Sequence, residues 1–260
     1  MDRIQLAKAV VEIARNAGAA IMEIYQNEAD FGVEQKADNS PLTKADRAAN
    51  EIICDGLEKL PVPYPIVSEE NKAIPYGTRK NYTCSWLVDP LDGTKEFIKR
   101  NGEFTVNIAL IENQLPVLGV VYAPDLNEMY WAVKGHGAFI TQNGHDKKLE
   151  ANAFSLTDKG LRVVCSRSHL NPPTQAFVDQ LNAPQLVATG SSLKFLKIAT
   201  NQADVYPRLG PTMEWDTGAA HIVLEEAGGS VIDEETKQPL RYNKENLLNP
   251  FFIAYGKREG

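Results

Sequence analysis

Two carboxylates, a glycine and a threonine follow a short apolar stretch in residues 86–97, which read WLVDPLDGTKEF. The apolar start suits a buried strand, and Pro90 is expected to weaken or end its pairing because proline lacks a backbone N–H. Asp89 and Asp92 lie on either side of that break, and a Gly-Thr pair follows them. This combination could hold a hard cation and a phosphate side by side. Asp-Pro and Asp-Gly are also common turn dipeptides, so the segment taken alone favours a turn.

Three further acids lie where a strand or a helix is expected to begin or end. Glu69, in the pair Glu69-Glu70, follows a short apolar strand. Asp216 lies at the start of a late helix, where an N-cap is the simpler interpretation. Asp46 follows Thr43 by three residues, which is the spacing of a capping box. Dispersed carboxylates of this kind suit Mg²⁺, which prefers oxygen ligands and retains several waters.

The composition argues against several classes of protein. The chain has 260 residues and a formal net charge of −7, which argues against a nucleic-acid surface. Its four histidines lack metal-ligand spacing, so a zinc site is not expected. Motifs for P-loops, dinucleotides and acyl-transfer nucleophiles are absent. Three scattered cysteines indicate a reducing compartment, and the chain shows no signal peptide or apolar run of membrane-span length. We therefore expect a cytoplasmic protein.

Hydrophobic periodicity divides the chain into two units. Residues 1–30 and 43–60 are predicted to form amphipathic helices, after which β-rich runs separated by short turns favour an antiparallel meander. The polar run NGHDKK, residues 143–148, is predicted to be a loop near the end of this unit. Strands and helices then alternate. The prediction is an α+β domain in residues 1–155, which carries most of the candidate acids, and a smaller α/β domain in residues 156–260.

The candidate acids carry a resemblance to a known family. Glu69-Glu70, the DPLDGT run of residues 89–94 and Trp215-Asp216 resemble the three-part signature of the inositol monophosphatase superfamily. Its members are Mg²⁺-dependent, lithium-sensitive phosphatases with a layered αβαβα sandwich fold. The blocks KADNSPLTKAD, LGVVYAP, SRSH, GSSLKF and YPR-GPT-WDT, in this order, are similar to the bacterial 3'(2'),5'-bisphosphate nucleotidase branch. One departure is Gly218, where the family usually has alanine.

The resemblance implies a metal-dependent mechanism with two or three Mg²⁺ ions. Glu69, Asp89 and the backbone carbonyl of Leu91 would hold one ion. Asp89, Asp92 and Asp216 would hold the second, and such pairs clamp the attacking and leaving oxygens of an in-line displacement. An activated water would attack the phosphate.

The resemblance also implies catalytic roles around this metal pair. Thr94 would orient the water while Asp46 accepts from its hydroxyl, and Glu69 belongs to the same catalytic set. The N–H groups of Gly93 and Thr94 would cradle the phosphate.

The same resemblance implies which residues contact the substrate. In the nucleotidase branch, a Gly-Ser-x-x-Lys helix start binds a nucleotide phosphate, and the branch positions in SRSH and YPR contact the nucleotide. Taken without the resemblance, the lysine and arginine would be read as exposed charges with packed stems, and the histidine as a surface loop residue. The implied substrate-binding set comprises Glu69, Leu91, Asp92, Gly93, Thr94, His169, Gly190, Ser191, Lys194, Arg208 and Asp216.

The implied reaction is removal of the 3'-phosphate from 3'-phosphoadenosine 5'-phosphate, giving AMP and phosphate. 3'-Phosphoadenylyl sulfate would be a further substrate, which places the enzyme at sulfate assimilation. The alternatives are a phosphatase acting on inositol 1-phosphate or fructose 1,6-bisphosphate, and a non-catalytic nucleotide-binding protein. Peripheral membrane association at the cytoplasmic side is compatible with the family, although no segment reads as an anchor. The oligomeric state is left open.

Overall fold

The computed structural model describes residues 2–27, 31–36, 41–165 and 170–259. The chain opens with helix α1 (Arg3–Asn27), a short hairpin whose two-residue strands are β1 (Glu34–Gln35) and β2 (Pro41–Leu42), and helix α2 (Lys44–Glu58). Both predicted N-terminal helices are therefore present. No helix within these ranges has the length and apolar composition needed to cross a membrane.

A seven-stranded sheet with two short helices follows. Its strands pair in chain order, the first two in parallel and the others antiparallel, which confirms the predicted meander. The elements are β3 (Ile66–Ser68), α3 (Tyr76–Arg79), β4 (Cys84–Asp92), α4 (Thr94–Ile98), β5 (Thr105–Glu112), β6 (Leu115–Ala123), β7 (Glu128–Val133), β8 (Gly137–Gln142) and β9 (His145–Lys148).

The described residues from Ala153 onward form a mixed five-stranded sheet, three helices and a separate parallel pair of short strands, β10 and β16. The sheet order is β12-β11-β13-β15-β14, with β11 parallel to both of its neighbours and β15 antiparallel to both of its own. The elements are β10 (Ala153–Phe154), β11 (Arg162–Cys165), α5 (Pro172–Val178), β12 (Gln185–Ala188), α6 (Leu193–Ala199), β13 (Val205–Arg208), α7 (Glu214–Glu226), β14 (Ser230–Asp233), β15 (Phe252–Tyr255) and β16 (Lys257–Arg258).

The helices and sheets stack in five layers. Along β5, Ile108 and Leu110 pack with α1 and α2, whereas Ala109 and Ile111 belong to the apolar cluster that contains α6 and α7. Helix α5 packs on the outer face of the five-stranded sheet. The order is thus α1/α2, first sheet, α6/α7, second sheet and α5, which confirms the layered αβαβα fold.

Helix α7 joins the two halves of the chain. It lies against β4 to β8 of the first sheet and also against β14 of the second. A large apolar cluster consequently includes residues from before and after position 155. The division into two domains at residue 155 therefore stays a prediction, and residues from both sides of that position pack together in the middle layer.

Glycines allow α7 to approach the first sheet closely. A Cβ atom at Gly119, on β6, would lie 2.4 Å from the carbonyl oxygen of Ala219 in α7. A Cβ atom at Gly218 would lie 3.2 Å from Cβ of Ala109. Gly218, where the family usually has alanine, thus lies inside a continuous buried helix, and its lack of a Cβ atom relieves a tight contact with β5.

Strand β4 does not end at Pro90. It pairs with β5 at Asp89 and Asn107, shifts register over the proline, and pairs again at Asp92 and Thr105. The missing N–H is accommodated in a bulge, which places one extra residue on β4. The expectation that pairing weakens at Pro90 is confirmed, but the alternative that the strand ends there is wrong.

The prediction of a loop over residues 143–148 is also wrong. Asn143 and Gly144 have φ angles of 51° and 78°, which form a tight turn between β8 and β9. The polar residues after the turn form an exposed edge strand. Their charges are compatible with a sheet edge, which natural proteins commonly protect in this way.

Candidate active site

Three carboxylates converge where β3, β4 and α7 meet. Oxygen atoms of Glu69, Asp89 and Asp216 all lie within 4.8 Å of one another. Glu69 and Asp89 are brought together by parallel pairing, because Ser68 lies beside Val88 in the ladder. Asp89 is 2% exposed. Acids that the sequence places at strand ends and at a helix start thus lie close together in the structure.

Asp216 supports the first turn of α7. Its Oδ2 atom accepts a hydrogen bond from the backbone N–H of Met213, over 2.9 Å. Met213 is the N-cap residue, so the interpretation of Asp216 as the N-cap is wrong by three positions. The helix start thus fixes the carboxylate that also belongs to the acidic cluster.

The cluster is electrostatically unfavourable without a cation. Burial, reinforced by Glu69, Asp92 and Asp216, raises the pKa of Asp89 well above its usual range. Burial and then the charge of Asp92 raise the pKa of Asp216 to about 8. Burial also raises the pKa of Glu69 despite a nearby lysine. Hard oxygen donors held close together under mutual repulsion fit a divalent cation such as Mg²⁺.

Lys36 is a protein cation beside this cluster. Its Nζ atom donates to Oε1 of Glu69 over 2.7 Å and also to Glu70. Burial acts to lower the pKa of Lys36, but its hydrogen bonds to the two glutamates outweigh that effect and raise it. The β1–β2 hairpin therefore supplies a positive charge that partly offsets the acids.

Asp92 is held by the loop that precedes α6. Its Oδ2 atom accepts from the hydroxyl of Ser191 and from the backbone N–H of Ser192, both over 2.6 Å. Gly190 is anchored separately, because its N–H donates to Oε2 of Glu103 over 2.8 Å. The loop thus links an acid of the first sheet to the N-terminal end of a middle-layer helix.

Thr94 and Asp46 form a pair at the other side of the site. The Thr94 hydroxyl lies 3.2 Å from Oδ1 of Asp46 and 3.3 Å from the carbonyl oxygen of Leu91. The second oxygen of Asp46 accepts from the backbone N–H of Thr43 over 2.7 Å. The capping box and the contact with Thr94 are therefore both present. Burial raises the pKa of Asp46.

The turn between β4 and α4 requires glycine. Gly93 has a φ of 96°, and a Cβ atom there would lie 2.9 Å from the carbonyl oxygen of Glu103. Just before it, the backbone N–H of Leu91 donates to Oδ1 of Asp89 over 3.0 Å. The turn and the candidate metal site are consequently a single structure.

A cavity of about 480 Å³ opens beside the acids and is lined by residues of both halves of the chain. Asp92 and Asp216 lie at one side of it, and Lys194 and Arg208 contribute positive charge. The Nζ atom of Lys194 donates to the carbonyl oxygen of Ser191 over 3.0 Å. Within the described ranges, Nε of Arg208 is buried without a hydrogen-bond partner, and its Nη2 atom donates to the carbonyl oxygen of Pro211 over 2.6 Å. His169 lies outside the described residues.

Comparisons with known proteins place the chain in a family. The sequence model of the inositol monophosphatase family matches residues 2–251. The chain belongs to the inositol monophosphatase family. Dependence on Mg²⁺ is general in this family, and the acidic cluster agrees with it.

Individual family members cover nearly the whole chain. The 3'(2'),5'-bisphosphate nucleotidase CysQ of Escherichia coli K12 is 48% identical over 244 residues, covering 94% of this chain and 96% of that protein. The crystal structure of CysQ from Bacteroides thetaiotaomicron, a bacterial member of the family, has a TM-score of 0.85 and 43% identity and covers 98% of each chain. Inositol monophosphatase from Anabaena has a TM-score of 0.78 at 23% identity over 99% of this chain and 93% of its own, which shows a shared fold.

Sequence reasoning did not single out two residues that shape the site. Lys36 lies in a quoted block of the family resemblance, but its ion pair with Glu69 depends on the hairpin fold. Thr105 lies in the strand FTVNIALIE, where polar residues interrupt buried apolar ones. That interruption is a readable signal, since polar side chains in a buried strand need specific partners.

Proposed function

We propose that this protein is a Mg²⁺-dependent 3'(2'),5'-bisphosphate nucleotidase that hydrolyses the 3'-phosphate of 3'-phosphoadenosine 5'-phosphate to AMP and phosphate. The observation that carries the proposal is the cavity joining the acids Asp92 and Asp216 to the cations Lys194 and Arg208. A substrate with a scissile phosphate and a second anionic group matches this division of charge. The similarity to CysQ nucleotidases along almost the whole chain supports the same substrate class.

The donor set of the cluster suits Mg²⁺, with two or three ions in the proposed enzyme. Glu69, Asp89 and the carbonyl of Leu91 would hold one ion, and Asp89, Asp92 and Asp216 a second. When bound, Mg²⁺ would lower the pKa of the attacking water and neutralise charge on the phosphoryl group as it transfers. The protein's own contribution is to hold these oxygens in place before the substrate arrives.

Thr94 and Asp46 would orient the attacking water. The Thr94 hydroxyl can accept from the water while it donates to Asp46, because a hydroxyl has one proton and two acceptor sites. Asp46 is fixed by Thr43 and therefore holds the hydroxyl in one direction. Gly93 and Thr94 would direct backbone N–H groups at the phosphate, and Glu69 completes the catalytic set.

The substrate's remaining groups would be held across the cavity. Lys194 and Arg208 would bind the second anionic group, and Gly190 and Ser191 shape the loop beside it. The side chain of Ser191 is already bonded to Asp92, so its proposed contact with substrate would use its second acceptor site or its backbone. His169 is proposed to contact the nucleotide from the SRSH segment. 3'-Phosphoadenylyl sulfate, which keeps an anionic 5' group, is the proposed second substrate, consistent with cytoplasmic sulfate assimilation.

A phosphate-release assay with Mg²⁺ tests this proposal. The substrates are 3'-phosphoadenosine 5'-phosphate, 3'-phosphoadenylyl sulfate, inositol 1-phosphate and fructose 1,6-bisphosphate. We expect the highest kcat/KM with the adenosine bisphosphate and inhibition by lithium. Faster turnover of the inositol ester would assign the alternative phosphatase activity. Nucleotide binding without phosphate release from any of the four would identify a non-catalytic binding protein.

A further inference from the structure

Buried polar side chains lie directly opposite the acids of β4. In the β4–β5 ladder, Thr105 pairs with Asp92 and Asn107 pairs with Asp89. Side chains directly opposite each other in an antiparallel pair lie on the same face of the sheet. Thr105 and Asn107 are 0% and 1% exposed. The two acids therefore rest beside a pair of polar groups that must find partners inside the protein.

These partners are the serines that precede α6. The Thr105 hydroxyl lies 2.7 Å from the Ser191 hydroxyl and 2.8 Å from the Ser192 hydroxyl. The Ser191 hydroxyl lies 2.6 Å from Oδ2 of Asp92, and the Ser192 hydroxyl lies 2.9 Å from the side-chain amide of Asn107. A continuous chain of hydrogen bonds thus runs from one strand, through the loop, to the acid.

Counting the hydroxyl protons shows which group donates in each hydrogen bond of this network. Each hydroxyl has one proton and can accept twice, whereas an ionised carboxylate only accepts. Ser191 must therefore donate to Asp92, Thr105 must donate to Ser191, and Ser192 must donate to Thr105. Every contact is satisfied when the amide of Asn107 donates to Ser192.

The Asn107 amide supports this direction. With its oxygen toward Ser192, the buried Nδ2 atom has no partner in the described part of the chain. Exchanging the two amide atoms, which a hydrogen-bond network must decide, gives the nitrogen an acceptor. The hydrogen bonds then run, from donor to acceptor, from Asn107 through Ser192, Thr105 and Ser191 to Asp92.

The loop itself has an uncommon shape. Ser191 has a φ of 52°, which is unusual for a residue other than glycine. Its hydroxyl and the next backbone N–H both converge on Oδ2 of Asp92. The loop conformation and the position of the carboxylate are consequently fixed together.

We propose that Thr105 is a positioning residue that holds the 190–192 loop in the conformation in which the Ser191 hydroxyl and the Ser192 N–H bind Asp92. It touches neither substrate nor cation, but a shift of the loop on nucleotide binding would move the acid with it. A nucleotide that holds the loop in this conformation also holds Asp92 in place for Mg²⁺, so each ligand strengthens the binding of the other by the same factor. This inference rests on the proposed function, which supplies both ligands.

Calorimetric titration of the full chain with Mg²⁺, in the absence and presence of AMP, tests the coupling. For the unaltered protein we expect AMP to lower the Kd of Mg²⁺ by about fivefold or more. Thr105→Ser keeps the hydroxyl and should retain this factor. Thr105→Val keeps the shape but removes the link between the two serines, and should reduce the factor, while the direct hydrogen bonds from the loop to Asp92 remain. An equal factor in all three proteins would overturn the proposal.

Two further variants complete the test. Thr174→Val, at a buried threonine of α5 in the outer layer, is the matched control and should leave the coupling unchanged. If Thr105→Val does not fold, Ser192→Ala removes the preceding donor and should reduce the coupling, whereas an unchanged coupling factor would refute the proposed hydrogen-bond network. An unaltered protein that binds Mg²⁺ but releases no phosphate from the adenosine bisphosphate would refute the proposed function instead.

Discussion

The Nζ atom of Lys36 lies 2.7 Å from Oε1 of Glu69, so a protein ammonium group already bonds to a carboxylate that would hold Mg²⁺. The lysine lies in the stretch that joins the strands of the β1–β2 hairpin, and the glutamate follows a strand of the first sheet. The ion pair offsets some of the repulsion within the acidic cluster. It also places a positive charge where a divalent cation would approach.

Replacing Lys36 by methionine tests this double effect. We expect Lys36→Met to bind Mg²⁺ roughly threefold more tightly, on the scale of a partly exposed ion pair, because the competing charge is gone. The Tm of the metal-free variant should fall, since the acids lose their compensation. Calorimetry and thermal unfolding in EDTA measure the two effects. Lys59→Met, at the exposed C-cap lysine of α2, is the control, and weaker Mg²⁺ binding by Lys36→Met would contradict the interpretation.

Replacing Asp89 by asparagine should separate stability from activity. The side-chain oxygen can still accept from the N–H of Leu91, so the turn is expected to persist. Turnover should fall roughly 10³-fold because a shared cation ligand is lost. The metal-free variant should unfold at a higher temperature than the unaltered protein, since a buried repulsion is removed. Asp146→Asn, on the exposed strand β9, is the control, and unchanged turnover of Asp89→Asn would refute the two-metal proposal.

The Thr94 hydroxyl should matter for catalysis and little for cation binding. We expect Thr94→Val to lower kcat by about 100-fold, a typical loss when a positioned proton-transfer group is removed. Thr94→Ser keeps the hydroxyl and should recover most of the activity. The Kd of Mg²⁺, measured by calorimetry, should stay within about twofold for both variants, because Thr94 is not among the proposed ligands. Equal kcat values for valine and serine would exclude the proposed role.

Lys194 should affect the choice of substrate. Lys194→Met is expected to raise KM for 3'-phosphoadenosine 5'-phosphate roughly tenfold, because a charge-assisted hydrogen bond is lost. Any slow turnover of inositol 1-phosphate, which lacks the second anionic group, should not change. Lys197→Met is the control, since that lysine bonds to Gln202 beyond the end of α6 and does not line the cavity. A KM increase common to both substrates would argue against recognition of the second group.

His221 should make stability depend on pH. It is buried in α7, its Nδ1 atom lies 2.8 Å from the Tyr242 hydroxyl, and burial lowers its pKa to about 3. Glu225 lies 3.8 Å from the other ring nitrogen but is partly exposed, so burial dominates. Below pH 6.5 the unfolded chain binds a proton that the folded protein does not. The free energy of unfolding should therefore fall by about 1.4 kcal/mol per pH unit from 6.5 toward 3.

Urea unfolding at several pH values, with the variant His221→Gln for comparison, isolates this contribution. Other acids titrate in the same range, but they do so in both proteins. The difference between the two proteins should therefore follow the histidine alone. Parallel pH profiles for the two would show that the folded state accepts the proton.

The layers and most strands could be predicted because each depends on local pattern. The run FTVNIALIE and its neighbours are apolar, lie close together and are separated by short turns, which specifies a meander. The exposed strand β9 was missed because HDKK has no buried face. Strand β4 passed Pro90 because β5 supplies a partner on the far side of the bulge, and a partner strand is not visible in the local sequence.

The acids of the site could be predicted from the sequence, but the hydrogen bonds and ion pairs that hold them could not. Asp89 and Asp216 were singled out by their places at a strand end and a helix start, and the family resemblance then implied their roles as metal ligands. The bond from Ser191 to Asp92 depends on how the middle layer packs on the first sheet, so neither segment indicates it alone. The same applies to Lys36, whose partner follows a different strand. Long-range polar contacts therefore had to come from the folded structure.

The acidic cluster takes Glu69 and Asp89 from the first sheet and Asp216 from helix α7. During synthesis, the first two emerge from the ribosome long before the third. A nascent chain can then assemble the complete set of carboxylates only after α7 has emerged and inserted between the sheets. Cation binding would thus stabilise the finished protein selectively, and a prematurely released chain would gain little protection from cellular proteases by binding Mg²⁺.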